Sequence, residues 1–251
     1  MIRVFKYIFT ANSFFKAIQY LVLAVLFQIF KRLTGSTVSK KIFNGKKLFL
    51  YPNCNVSTFY VYTDIPDRKE IGKLRSIISK DDVFLDIGAN VGSYSVCLMD
   101  VCDEQIAFEP HPFTARRCKM NFLLNGRSAE SVVQAALSNQ SGKTFFSDIG
   151  HSSTVNSITK DNSGISVDML SLDEYMFNRK DLLKDRGYVV KIDVEGFEKD
   201  VLEGARNFLS TYRIKGIILE CFHTEEVFPI LASAGFTIFE RCSENNFFIS
   251  K

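Results

Sequence analysis

The stretch Val83-Phe84-Leu85-Asp86-Ile87-Gly88-Ala89-Asn90-Val91-Gly92 decides the fold, and Ala107-Phe108-Glu109-Pro110 completes its meaning. A short apolar run ends in a glycine turn, a helical pattern follows, and a second apolar run ends in an acid seventeen residues beyond Gly92. An α/β domain holds a nucleoside-bearing ligand in this way: glycines let the backbone approach it, and the acid accepts from ribose hydroxyls. A dinucleotide fingerprint would read G-x-G-x-x-G, with a helix N-terminus aimed at a pyrophosphate. Here Asp86 precedes the first glycine and Asn90 stands where the second would approach phosphate. A carboxylate there repels a pyrophosphate but pairs with a cationic amino group. S-adenosylmethionine has an ammonium, a sulfonium, one ribose and no phosphate, so the loop favours this methyl donor over NAD. The plainer reading is a buried β–α turn with Asp86 as a helix cap. Glu109 at the end of the next strand weighs against it.

Outward from this stretch, strand and helix patterns alternate. Strands are expected over 83–88, 105–109, 131–137, 187–193 and 214–220, with helices over 68–79, 92–101 and 113–125. Phe197, Val201, Leu202, Ala205, Phe208 and Leu209 are spaced as one apolar helical face. Two closing strands meet at a turn near Glu244-Asn245-Asn246. The pattern predicts a doubly wound, mostly parallel α/β sheet ending in an antiparallel hairpin. Residues 139–166, rich in Ser, Asn and Gly, break the rhythm and are expected to be hairpin-like and partly irregular.

Chemistry in such a sheet gathers at the carboxyl ends of the strands. The polar residues there are Asp86, Glu109, Ser138, Asp193 with Glu195, and Glu220 with His223. Methyl transfer to a hydroxyl needs in-line placement and removal of a proton. His223 is the natural base by pKa, and Asp193 is a candidate to orient the acceptor. Glu195 reads equally as a carboxylate at a helix start, and His223 as a surface or capping residue. His111, between Pro110 and Pro112, is expected to shape the cofactor pocket. His151 lies in the irregular insert, as pocket lining or as loop.

Charge is divided unevenly along the 251 residues. Residues 1–63 hold nine Lys or Arg and no acid, leaving 22 bases against all 28 acids in the remainder. This split points to an interaction rather than a fold. The basic part also contains the apolar run Ala17 to Phe30, flanked by Lys16 and by Lys31-Arg32. Fourteen helical residues reach about 21 Å, short of a hydrocarbon core of roughly 30 Å. Two readings stay open: an interfacial helix on an anionic leaflet, and a helix packed on the domain. We divide the chain into a basic, hydrophobic helical region 1–47, a candidate for peripheral membrane contact, and a methyl-donor domain 48–251. Nucleic acid is not expected as a partner, because the catalytic part is net acidic. The six cysteines show neither C-x-x-C nor a metal-type pairing with histidine, which suits reduced thiols in a cytoplasmic protein and no metal site.

Taken together, DIGANVGSYS (86–95), FEPHP (108–112), AALSNQSG (135–142), LSLDEY (170–175), KIDVEGFEKDVLEGA (191–205) and ILECF-H (218–223) resemble the FkbM-type methyltransferases. Asn121 and Asn125 fall in the same order between them. The resemblance implies the seven-stranded sheet of class I methyltransferases. It implies S-adenosylmethionine held across Asp86, Gly88, Asn90, Gly92 and Glu109, with Ala136 near adenine. It also implies O-methylation of a sugar, glycan or natural-product hydroxyl, with Asp193, Glu195 and His223 as the catalytic candidates. Phe197 departs from the small residue usual after this glycine and is expected to tighten the acceptor side. The alternatives are an NAD-type oxidoreductase, and a non-catalytic binding module on the same fold.

Overall fold

A computed structural model describes residues 2–146, 164–179 and 185–251; His151 lies outside them. The chain begins with helices α1 (Ile2–Ala11) and α2 (Phe14–Thr34) and a hairpin, β1 (Val38–Lys41) and β2 (Lys47–Leu50). A short helix α3 (Asn55–Thr58) and a 3-10 turn over Phe59–Val61 follow. Next come α4 (Arg68–Ile77), β3 (Val83–Ile87), α5 (Ser93–Leu98), β4 (Glu104–Phe108) and α6 (Pro112–Leu124). Then follow β5 (Val132–Val133), β6 (Ala136–Leu137), β7 (Gly142–Phe146), β8 (Ile165–Leu170) and α7 (Leu172–Phe177). The remainder is β9 (Gly187–Ile192), α8 (Glu198–Glu203), α9 (Arg206–Thr211), β10 (Arg213–Glu220), α10 (Thr224–Ser233), β11 (Ile238–Arg241) and β12 (Asn246–Ser250).

The main sheet has seven strands in the order β11-β12-β10-β9-β3-β4-β5. Strands β5, β4, β3, β9 and β10 are parallel, and β12 runs against both β10 and β11. Every residue of β3 and β9 is buried. That is why these strands read as unbroken apolar runs: helices cover both faces of a parallel sheet. Chain order reverses between β3 and β9, the place where such sheets open a crevice beyond their strand ends.

Three features depart from the sequence expectation. The strand expected over 131–137 is two: β5 ends the main sheet, while β6 joins β8 and β7 in a separate three-stranded sheet. The single helix expected from Phe197 to Leu209 is also two, broken at Gly204. A Cβ on Gly204 would lie 2.0 Å from the carbonyl oxygen of Ser138, so that crossing admits only glycine. Finally, α2 runs straight through Lys16 and Lys31 to a left-handed Gly35 that caps it on the Lys31 carbonyl. At 21 residues it is long and apolar enough to cross a membrane. It nonetheless packs on the domain: Ala17, Tyr20, Ala24 and Phe27 are buried with Ile42, Leu48, Tyr60 and Val61. Asn12 donates to the Tyr62 carbonyl, and the Tyr20 hydroxyl to Asp64, which fixes both helices to the chain just before α4.

Candidate active site

The strand ends open into a cavity of about 600 Å³, the size of a small-ligand site. The turn after β3 forms its floor. Gly88 has φ +73°, and a Cβ there would stand 1.8 Å from the Asp193 carbonyl oxygen. The turns after β3 and β9 therefore touch through bare backbone. The Gly88 and Ala89 N–H groups both donate to the Phe108 carbonyl, at 3.0 and 2.9 Å. Asn90, at φ +52°, donates its N–H to Glu109 Oε2 at 2.9 Å, and the His111 N–H donates to Glu109 Oε1 at 2.9 Å. Each Glu109 oxygen so occupied keeps a second lone pair. Burial lifts this carboxyl to about 7, against the pull of those two N–H donors.

Gly88, Asn90, Glu109, Ala136, Asp193 and Glu195 all line the cavity. Three expected site residues do not. Asp86 is fully buried beneath the floor, where it accepts from the Ser95 hydroxyl and N–H at 2.7 and 3.2 Å. It holds the turn together instead of meeting a cationic ligand. Burial raises its pKa, opposed by Lys191 and Ser95. Gly92 sits at the start of α5 at φ +77°, where a Cβ would meet Cys118 Sγ at 2.7 Å. His223 is carried away from the cavity: Cys221 N–H donates to the Asn245 carbonyl, and His223 then stands exposed before α10, 3.5 Å from Glu225. Glu220, three residues earlier, lines the cavity in its place.

Sequence reading passed over the group at the centre. Lys191 is buried in β9, with Nζ 2.6 Å from the Gly88 carbonyl, 3.2 Å from Asp193 and 3.7 Å from Asp86. Burial alone would lower its pKa, but Asp193 and Asp86 outweigh it and keep the ammonium charged. Around it stand Asp67, Asp193, Glu195 and Glu220. Burial first, then Asp193 and Glu195, lifts the Glu220 carboxyl to about 7. Glu195 reaches about 7 from burial and then Asp193. It is the more solvent-exposed of the two and has φ +53°, strain of the kind found at functional sites. Phe197 also lines the cavity. From the N-terminal part come Tyr7, Phe59 and Tyr60. No local pattern foretells their arrival here.

The cavity fits a cationic nucleoside better than a pyrophosphate. Its described lining holds five carboxylates (Asp67, Glu109, Asp193, Glu195 and Glu220) against one ammonium, already engaged. Glu109 keeps its lone pairs beside a bare glycine turn. Fold and cavity thus define a nucleoside-binding α/β domain whose site suits a cationic, phosphate-free ligand.

Comparison with known proteins gives the family. Residues 86–238 match the methyltransferase FkbM domain. The hexuronic acid methyltransferase AglP of Haloferax volcanii is 32% identical over 136 residues, 53% of this chain and 53% of that protein. The chain thus spans about half the length of that curated relative. An rRNA methylase from Streptococcus thermophilus covers 74% of this chain and 94% of its own at 10% identity and TM-score 0.43. TrmK of M. capricolum, in complex with S-adenosyl-homocysteine, covers 72% and 65% at 12% identity and TM-score 0.40. The chain belongs to the FkbM methyltransferase family, and its cofactor is S-adenosylmethionine.

Proposed function

We propose that this methyltransferase acts on a hydroxyl of a sugar or glycan, with Glu220 as general base. One observation carries the reading: Asp67, Asp193, Glu195 and Glu220 line the same cavity as the Glu109 turn and gather around the buried Lys191. When bound, the cofactor supplies an electrophilic methyl group. The chain's own residues do the rest. Gly88 and Asn90 would form the cofactor's cradle, Glu109 would accept from the ribose hydroxyls, and Ala136 and Leu137 would flank the adenine. Asp193, fixed by Lys191, accepts a hydrogen bond from the acceptor hydroxyl and aims it. Glu220, with a pKa near neutrality, takes the proton as the oxygen is methylated.

The carboxylates also set the charge of the acceptor. A ring of acids accepts from sugar hydroxyls and repels a carboxylate on the sugar. We therefore assign a neutral sugar acceptor, in contrast to the acidic sugar named for the archaeal relative. Six buried thiols, none in a disulfide, support a reducing, cytoplasmic setting. Purified protein, labelled methyl donor and a panel of neutral sugars, uronic acids and their glycolipids test the reading, with the product located by NMR. An O-methyl ether on a neutral sugar supports it. A methyl ester on a uronate, or an N-methyl product, overturns it.

A further inference from the structure

Helix α2 has two apolar faces, and the fold uses one. Opposite the buried Ala17, Tyr20, Ala24 and Phe27 run Phe15, Ile18, Val22, Leu26, Ile29 and Leu33. All six are exposed, from 43% at Ile18 to 80% at Phe15 and Leu33. Their spacing of three or four residues sets them in one row along the helix. The row continues onto α1 through adjoining rings: Phe15 to Phe14 at 5.8 Å, Phe14 to Phe9 at 6.4 Å, and Phe9 to Phe5 at 4.7 Å. A continuous apolar surface of this kind marks an interaction site.

Charge selects the partner. Residues 1–63 contain nine bases and no acid, and the exposed Lys6 and Arg32 lie toward the two ends of the patch. A second copy packed helix against helix would bring these cations together, with no carboxylate on either helix to pair them. An anionic lipid surface takes the apolar row into its acyl boundary and the bases among its headgroups. By length α2 is able to span a bilayer, but its other face is already committed to the domain. We propose that α1 and α2 form a docking face for an anionic membrane, with α2 lying in the plane of the interface.

Co-flotation of the purified chain with vesicles tests this, using phosphatidylcholine alone and phosphatidylcholine mixed with phosphatidylglycerol. The chain is expected to float with the mixed vesicles. Leu26→Asp with Ile29→Asp, both at exposed positions, is expected to abolish flotation while leaving the circular dichroism unchanged. Lys6→Ala with Arg32→Ala, which spares the apolar row, is expected to weaken partition roughly thirtyfold. Absence of flotation, or undiminished flotation of the aspartate variant, would overturn the proposal. So would a dimer by light scattering that the aspartates dissolve, which would give the face to a second copy. Retention through alkaline carbonate extraction would indicate a spanning helix instead. Flotation requires no catalysis, so these outcomes are independent of the acceptor reading.

Discussion

The ammonium of Lys191 donates to the backbone carbonyl of Gly88 at 2.6 Å, from inside the strand next to the one that leads into the glycine turn. One buried cation thereby sets the position of the cofactor turn and holds Asp193 at the cavity edge. Lys191→Met would remove it, leaving Asp86 as a buried carboxylate without a counter-charge. Removing one partner of a buried pair costs roughly 3–5 kcal/mol. We expect a clear fall in Tm, together with loss of S-adenosylhomocysteine binding measured calorimetrically. A folded variant with native affinity would contradict the role given to Lys191.

Two glycines with nearly the same φ should respond differently. Gly88 (φ +73°) has the Asp193 carbonyl where a Cβ would go, whereas Gly126 (φ +72°) faces open space. Gly126→Ala carries only the left-handed backbone penalty, about 1–2 kcal/mol, and should leave activity intact. Gly88→Ala must push two turns apart, and turnover should drop by on the order of a hundredfold, since a misplacement of about 1 Å costs that much in rate. Turnover assays on both variants separate strain from collision.

If Glu220 is the base, the rate should rise as pH passes through about 7, where its carboxyl ionises. Glu220→Gln is expected to lower kcat by roughly 10²–10⁴ and to flatten that rise. His223→Ala, at an exposed position beyond the cavity, should leave both rate and profile unchanged. An unaltered pH profile in Glu220→Gln would move the base elsewhere.

Glu109 links stability to pH in a stated direction. Its folded-state pKa, about 7, lies above the ordinary 4.5. The folded protein therefore holds this proton more tightly than the unfolded chain does. The stabilisation is complete below about 4.5 and is lost as pH rises through about 7. Glu109→Gln should show a smaller decline in Tm between these limits than the native protein, with no ligand present. Identical slopes would mean that Glu109 is ionised throughout.

Much of this site is legible without coordinates, because it rests on short-range pattern. Buried parallel strands are apolar runs, and Gly88, Asn90 and Glu109 follow two of them at fixed offsets. What escaped has non-local causes. Lys191 reads as an ordinary strand residue until β3 is laid beside it. Gly204 reads as helix until Ser138 arrives against it. His223 is the natural base by its chemistry, but pKa says nothing about where a chain turns, and the strand end that leads to it is tied to Asn245 through the Cys221 N–H, leaving His223 exposed outside the cavity. Tyr7 lies 81 residues before Gly88 in the chain, so its place in the cavity wall depends on how α1 and α2 dock.

The pairing of β3 with β9 also bears on how the molecule is made. Val83 meets Tyr188 across the middle of the sheet, so the centre joins segments about a hundred residues apart. On the ribosome, the piece carrying α4, β3, β4 and α6 emerges first and keeps one long edge of β3 bare until β9 is synthesised. That edge is apolar on both sides and has its hydrogen-bonding groups unpaired, which makes it a template for illicit strand addition. For this protein, the hazard of aggregation therefore falls in the interval of translation between those two strands.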